Sequence, residues 1–290
     1  MMSTRAAYPS DLSDEEWALI APFVPPNRGQ GRHPPRDLRE VVDAIFSLAR
    51  EGCPRRGLSH DLPAWPTMRY YFDTWMRDGT WERINEALRR ALREEGRDPE
   101  PTAGIIDSTR ERVPGVKTTE AGGVRGYDAG KRVKGRKRHI LVDSTRTRVP
   151  GNLLYAWVHG ADLQDAAGAE IVLEHGLAAV PILRLVFADG GYDEDALPIW
   201  AWANTEASLE IVRRPQEARG FVLLPRRWVV ERTLARLSRY RRLAKDFERL
   251  VECSTPFLSI ASIHLMARRL AEIRAKAATK DSANATATAA

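Results

Sequence analysis

Three acids, Asp107, Asp189 and Glu231, stand where carboxylates can do chemistry. Asp107 ends the apolar run Gly104-Ile105-Ile106, and Asp189 ends Val186-Phe187-Ala188. An apolar run closing on an acid predicts a carboxylate at the end of a buried strand. Desolvating that group costs several kcal/mol unless something compensates, and a divalent cation is a common compensator. Gly190 and Gly191 follow Asp189 and leave backbone room for a ligand to approach. Taken singly, each aspartate also fits a helix N-cap or a turn. The separations are 189 − 107 = 82 and 231 − 189 = 42, and the shorter leaves room for a strand-helix-strand passage before a helix carrying Glu231 returns to the sheet. Converging, the three would suit two Mg2+ ions, with Mn2+ as a substitute: one ion activating a water or a 3′-hydroxyl, the other stabilising the departing oxygen of an in-line phosphoryl displacement.

Basic residues accompany these acids. After Pro225, the apolar side chains Val230, Leu234, Leu237, Tyr240, Ala244, Phe247 and Val251 recur at helical spacing. Glu231 falls at the edge of that stripe, with Ala235, Ser238 and Arg242 along its own face and Arg232, Arg236 and Arg239 on another. Two readings fit: a solvated surface where Glu231 pairs with Arg227 or Arg232, or an acid among bases (Arg227, Arg232, Arg239, Arg242) that steady phosphates. The segment KRVKGRKR holds six bases in eight residues beside a glycine-rich loop. It predicts an arm laying Lys131, Arg132, Lys134, Arg136, Lys137 and Arg138 along phosphates and releasing counterions, with a solvated hairpin as the alternative. His139 then reads as another donor facing DNA. Its glycines lack P-loop spacing, which argues against a nucleotide cradle. In VHGADLQD, His159, Asp162 and Asp165 offer a metal set, although Asp162 also fits as the cap of a following helix. Trp228, beside two arginines, suits stacking on an unpaired base, while the tryptophans at 65, 75, 81, 200 and 202 read as core.

The elements that must position these residues fall into two sets. Up to residue 98 the pattern is helical throughout. Ser13 and Glu16 form a capping-box pair ahead of Trp17, Ile20 and Phe23; Asp37 opens a helix through Val41, Ile45 and Leu48 that Gly52 ends. Thr67 caps a third helix, and Thr80 starts a fourth with Trp81, Ile84, Leu88 and Leu92. Short helices with arginines and aromatics between them suit a helix-turn-helix-like grip on duplex DNA, or a bundle used for packing or dimerisation. The linker GRDPEPTAG follows, and periodicity turns strand-like. Residues 99–274 read as a second domain with strands at Gly104–Thr109, Arg138–Ser144, Leu153–His159, Leu183–Ala188 and Leu209–Arg213, and helices at Gln164–His175 and Asp193–Asn204. Three strands and then strands alternating with helices give an α/β mixed sheet with an antiparallel lead-in. Residues 275–290 lack periodicity and are expected to be disordered.

Composition narrows the function classes. The 290 residues carry a net charge of +6 with the bases clustered, which favours a polyanionic partner, nucleic acid first. No apolar run of about 18 residues predicts a membrane span, and the opening residues lack the apolar core of a signal peptide, so a cytoplasmic, nucleoid-associated protein is expected. Cys53 and Cys253 are far apart without metal-type spacing and read as reduced thiols.

The blocks KTTEAGGVRGYDAGKRVKGRKRHILVD, VHGADLQD, FADGGYD and LPRRWVVERTLARLSRYRRLAKDFE, with DGTWERIN ahead of them, resemble those of DDE transposases of bacterial insertion sequences, in the branch with a short helical N-terminal domain. The resemblance runs from about Tyr8 to Leu270. It implies a ribonuclease H-like catalytic domain, Asp107, Asp189 and Glu231 as the three metal-binding acids, and Mg2+-dependent DNA cleavage at element ends followed by attack of the freed 3′-hydroxyl on target DNA. It also implies a homodimer on paired ends. Two positions depart from the family pattern. DSTRERVPG at 107–115 and DSTRTRVPG at 143–151 nearly repeat, which leaves Asp143 as an alternative to Asp107, and Ser238 stands where a lysine is frequent. Two other functions stay open: a ribonuclease H-like nuclease or resolvase without strand transfer, and an inactive DNA-binding relic.

Overall fold

The computed structural model describes residues 5–26, 37–95, 100–112, 123–128, 133–144, 151–192, 196–213 and 227–288. The chain divides into two compact units, Met1–Arg97 with Ile260–Ala290, and Asp98–Ser259. The first boundary falls in the expected linker. Ile260–Ala290 group with the helical unit, whereas the sequence pattern predicts a second domain running to residue 274.

The helical unit contains α1 (Asp14–Ile20), α2 (Leu38–Glu51), α3 (Trp65–Arg77), α4 (Thr80–Glu94) and residues from Ile260 onward of a C-terminal helix described below. Ser13 and Glu16 close the expected capping box on α1, each side chain accepting from the other's backbone N–H. Asp37 caps α2, and Gly52 ends it at φ 70°, a left-handed conformation that costs glycine nothing. The third helix begins at Trp65 rather than at Thr67, because Pro66 suits a first turn whose N–H groups have no helical acceptor. Trp75 and Trp81 meet edge to face with centroids 5.4 Å apart and are buried. Trp65 and Trp202 are exposed instead, correcting their assignment to core.

The second unit is built on a six-stranded sheet of β1 (Ala103–Arg112), β2 (Gly126–Asp128), β3 (Val133–Asp143), β4 (Leu153–Gly160), β5 (Leu185–Asp189) and β6 (Ser208–Val212), with α5 (Asp165–Ala179), α6 (Ala196–Thr205) and α7 (Arg227–Leu237) around it. The long strand β3 is antiparallel to β1 on one side; on the other it pairs with β2 through Val133–Gly135 and with β4 through Arg136–Val142. Beyond β1, β5 and β6 run parallel to it. Three antiparallel strands followed by parallel ones reached through helices make the ribonuclease H-like mixed sheet expected from the sequence.

Side chains alternate between the two faces of this sheet. On one face Ile106, Leu141, Val186 and Ala188 form a core with Ala169, Val172 and Leu173 of α5 and Leu197 and Ala201 of α6. Alternation then sends Ile105, Asp107, Phe187, Asp189, Arg136, Arg138 and Ile140 to the opposite face. Helix α7 packs on β1, β3 and β5, and none of its residues joins the α5/α6 core, so it covers that opposite face. The last helix, α8 (Thr255–Thr288), includes most of the segment expected to be disordered, as its run of alanines favours helix even without an apolar stripe.

Candidate active site

Asp107 lies in β1 opposite Ile140 of β3, near the end of the stretch that also borders β5. The parallel register pairs Ala103 with Leu185 and Ile105 with Phe187, an offset of 185 − 103 = 82. That offset equals 189 − 107, so two more steps along both strands bring Asp107 level with Asp189, on the same face. Each carboxylate is held by a nearby main-chain N–H. Ser108 N donates to Asp107 Oδ1 at 2.7 Å, and Gly191 N donates to Asp189 Oδ1 at 2.8 Å. The glycine is needed here, since a Cβ at residue 191 would sit 2.9 Å from Asp189 Oδ1. Glu231 is exposed on α7, the helix that covers the face carrying both aspartates. Asp189 closes β5 as expected, whereas Asp107 stands midway along β1 and not at its end. Carboxylates are the hard oxygen donors that Mg2+ takes, so the residue types fit that ion. Among the described residues, no three His, Cys, Asp or Glu side chains stand close enough together to hold a metal. The aspartates are thus brought level with each other, while Glu231 shares their face without closing a three-acid cluster.

Behind the pair, on the α5 face, lies a buried polar network. Asp165, the first residue of α5, accepts from Ser108 Oγ at 3.0 Å and lies 3.1 Å from Lys137 Nζ. Lys137 also donates to Leu163 O and stands 3.5 Å from Asp128. His159 Nδ1 meets the Gly160 carbonyl at 2.7 Å, so it carries the proton; its Nε2 then accepts from His139 Nδ1, also at 2.7 Å. Burial, helped by His159, lowers the His139 pKa to about 3, and the ring is neutral at pH 7. Burial also raises Tyr192 well above the usual phenol value, with Asp107, Asp165 and Asp189 adding to the effect. The tyrosine therefore stays protonated among three acids.

The basic-arm reading needs correction. Residues Val133–Arg138 are the first half of β3, and strand alternation sends Arg136, Lys137 and Arg138 into two interiors. Lys137 and His139 enter the network under α5. Arg136 and Arg138 enter the α7 face, where Arg136 donates to Val124 O, Asp246, Glu248 O, Ser254 Oγ and Arg249 O, and Arg138 to Leu243 O and Lys245 O. Arg136, Lys137, Arg138 and His139 are all buried and cannot lie along phosphates. Arg242 is buried as well, bonded to Glu248 and set against Phe247 and Phe257. Lys134, Arg232 and Arg239 are exposed, and Arg232 lies over the half-buried Trp228 at 5.8 Å. Lys131 and Arg132, and the side chain of Arg227, lie outside the described residues.

Other candidates resolve structurally. Asp143 pairs with Gly104, three residues or about 10 Å along β1 from Asp107. It is fully buried and accepts from Asn152 N at 2.7 Å and Asn152 Nδ2 at 3.0 Å, holding the start of β4. The residue preceding α5 is Gln164, so Asp162 does not cap it; Asp162 packs instead on Gly126 and Gly160. Sequence reading set Asp165 against the wrong partners. The missed signal was the period-2 alternation running back through KGRKRHILVD, which puts Lys137 and His139 on the face that α5 must cover.

Two family comparisons fit this geometry. Residues 12–85 match the family described as "Putative transposase of IS4/5 family", and residues 98–265 match "Transposase DDE domain". The chain is also 31% identical over 134 residues to "Putative transposase for insertion sequence element IS402" of Burkholderia cepacia; the match covers 43% of this chain and 60% of that protein. The second match takes in the whole sheet, both aspartates and the helix of Glu231, and on that ground the chain belongs to the transposase DDE-domain family.

Proposed function

We propose that this chain is a transposase that cuts DNA at the ends of its insertion sequence and joins the freed 3′-hydroxyl to target DNA. The observation carrying this reading is the shared 82-residue offset: the register of β1 and β5 equals the spacing of Asp107 and Asp189. In this reading Asp107, Asp189 and Glu231 hold the divalent ions. Mg2+, or Mn2+ in its place, would supply Lewis-acid stabilisation of the entering and leaving oxygens. The protein's own contribution is to fix the two aspartates rigidly on neighbouring parallel strands and to bring Glu231 on α7 over the same face. Exposed Lys134, Arg232 and Arg239, with Lys131, Arg132 and Arg227, offset phosphate charge. Cleavage breaks the bond between phosphorus and the 3′-oxygen as water adds at phosphorus; joining repeats the displacement with that 3′-hydroxyl as nucleophile. Two ends must be held together for this, so a homodimer on DNA belongs to the proposal.

The test is purified Asp189→Asn with element-end DNA and Mg2+. Nicking is expected to fall at least a hundredfold; nicking at the parent rate refutes the assignment. Supplying pre-cleaved ends to the parent protein separates joining from hydrolysis, because a nuclease gives no strand-transfer product. Parent protein that binds ends and never cleaves them would instead be the inactive relic.

A further inference from the structure

The acid at the start of α5 is used by nothing in the proposed chemistry, yet it borders both residues whose N–H groups hold the aspartate pair. Asp165 Oδ1 accepts from Ser108 Oγ at 3.0 Å, and Ser108 N donates to Asp107 Oδ1 at 2.7 Å. A Cβ at residue 191 would stand 3.8 Å from Asp165 Oδ2, and Gly191 N donates to Asp189 Oδ1 at 2.8 Å. One carboxylate behind the sheet thus bonds the side chain of the residue whose N–H orients Asp107 and lies beside the turn whose N–H orients Asp189.

Asp165 is itself firmly held. Lys137 Nζ lies 3.1 Å away, and both side chains are largely shielded from solvent, at 3% and 15% exposure. Lys137 is tied in turn to Leu163 O and Asp128. With its charge balanced by the ammonium and one oxygen occupied by Ser108, Asp165 is suited to bracing and not to ligation. On the far side, His139 Nε2 stands 4.0 Å from Asp165 Oδ1, farther than Lys137 Nζ or Ser108 Oγ from the same oxygen.

We infer that Asp165, locked by Lys137, is a positioning residue that sets the geometry of the Asp107/Asp189 pair through Ser108 and the Gly191 turn. This rests on the reading that Asp107 and Asp189 hold the divalent ion. Three consequences follow from the contacts. Removing the Ser108 hydroxyl cuts the route to Asp107 and leaves the buried charge pair intact. Removing the Asp165 carboxylate breaks the Ser108 bond and the Lys137 pair that holds the group beside the Gly191 turn. Neither change touches the exposed bases, so affinity for DNA is unaffected.

The experiment uses full-length protein and Mn2+ as the probe, with free Mn2+ read by its paramagnetic resonance signal, alongside steady-state cleavage of element-end DNA. Asp107→Asn and Asp189→Asn control for the underlying reading: if either binds Mn2+ as the parent does, that reading fails. If both lose Mn2+, Asp165→Asn is expected to weaken Mn2+ binding about tenfold or more, the range typical of groups that orient metal ligands, and Ser108→Ala less, about threefold, because the buried charge pair remains. In both, kcat should fall while KM for DNA stays at the parent value. Asp165→Glu should recover part of the loss, which a merely structural role would not give. Ser108→Ala leaves the ion pair in place and serves if Asp165→Asn fails to fold. Parent-like Mn2+ affinity and kcat in folded Ser108→Ala and Asp165→Asn, beside defective Asp107→Asn, would overturn the inference.

Discussion

His139 and Asp43 show how burial moves single residues in opposite directions. His139 is held neutral with its pKa lowered to about 3, chiefly by burial. The unfolded chain takes up that proton near pH 6.5, so the stability it represents is present above 6.5 and is lost as pH falls toward 3, at about 1.4 kcal/mol per pH unit. His159, in the same unit, is lowered as well. His264 in the helical unit is also lowered to about 3 by burial. There, however, burial raises Asp43 to about 7, so the folded chain holds a proton the unfolded one releases above about 4, and acidification from 7 to 4 adds stability. The sheet unit has no such offset among these groups. Going from pH 7 to pH 5, hydrogen-exchange protection is expected to fall more in β1 and β3 than in α2; an equal or smaller fall in the strands would contradict this.

At the scale of the element, β3 decides most. A run of bases reads as a solvated arm only if every side chain points outward, and a strand at the centre of a sheet cannot allow that. Arg136 is buried with Asp246 at 3.1 Å and four further acceptors, so Arg136→Ala leaves Asp246 without that partner in the interior. The expected cost is about 3–5 kcal/mol, measurable as a lowered urea midpoint. Phosphate contacts belong to exposed bases instead. Substituting Lys134 by Ala should reduce the slope of log affinity for DNA against log salt by about 1, whereas folded Arg138→Met should leave that slope unchanged. A lower slope for Arg138→Met would restore the arm.

At the scale of the molecule, the two units are built from unequal stretches of chain. The helical unit takes residues from both ends, and Ile260, Ile263, Met266 and Leu270 of α8 are buried. His264 of the same helix stacks on Phe46 of α2 at 4.5 Å. Truncation after Ser259 therefore removes part of that unit's core. At about 2 kcal/mol for each large side chain buried, the loss exceeds what a small helical unit can spare. Far-UV circular dichroism should show lost cooperative melting and a helix deficit larger than the deleted residues account for; cooperative melting at the parent temperature would refute it. Among the described residues no helix is long and apolar enough to cross a membrane.

The sequence by itself determined what is local or periodic: the capping box at Ser13, the strand cores around Ile105, Leu141 and Phe187, the order of strands and helices apart from the short β2, and two acids closing apolar runs. These depend on neighbours a few residues away, and the chain states them directly. The tertiary structure alone decided which face each side chain of β3 enters, where α8 belongs, and what Asp165 touches. The repeated segment shows the reason. Asp107-Ser108-Thr109-Arg110 continues as strand in β1, while the identical Asp143-Ser144-Thr145-Arg146 begins at the last residue of β3, with Ser144 already outside it. The same Asp-Ser pair stays in a strand at 107–108 and leaves one at 143–144 because strand pairing at Asp107 and the Asn152 contacts at Asp143 come from elsewhere in the fold, and no local rule contains them.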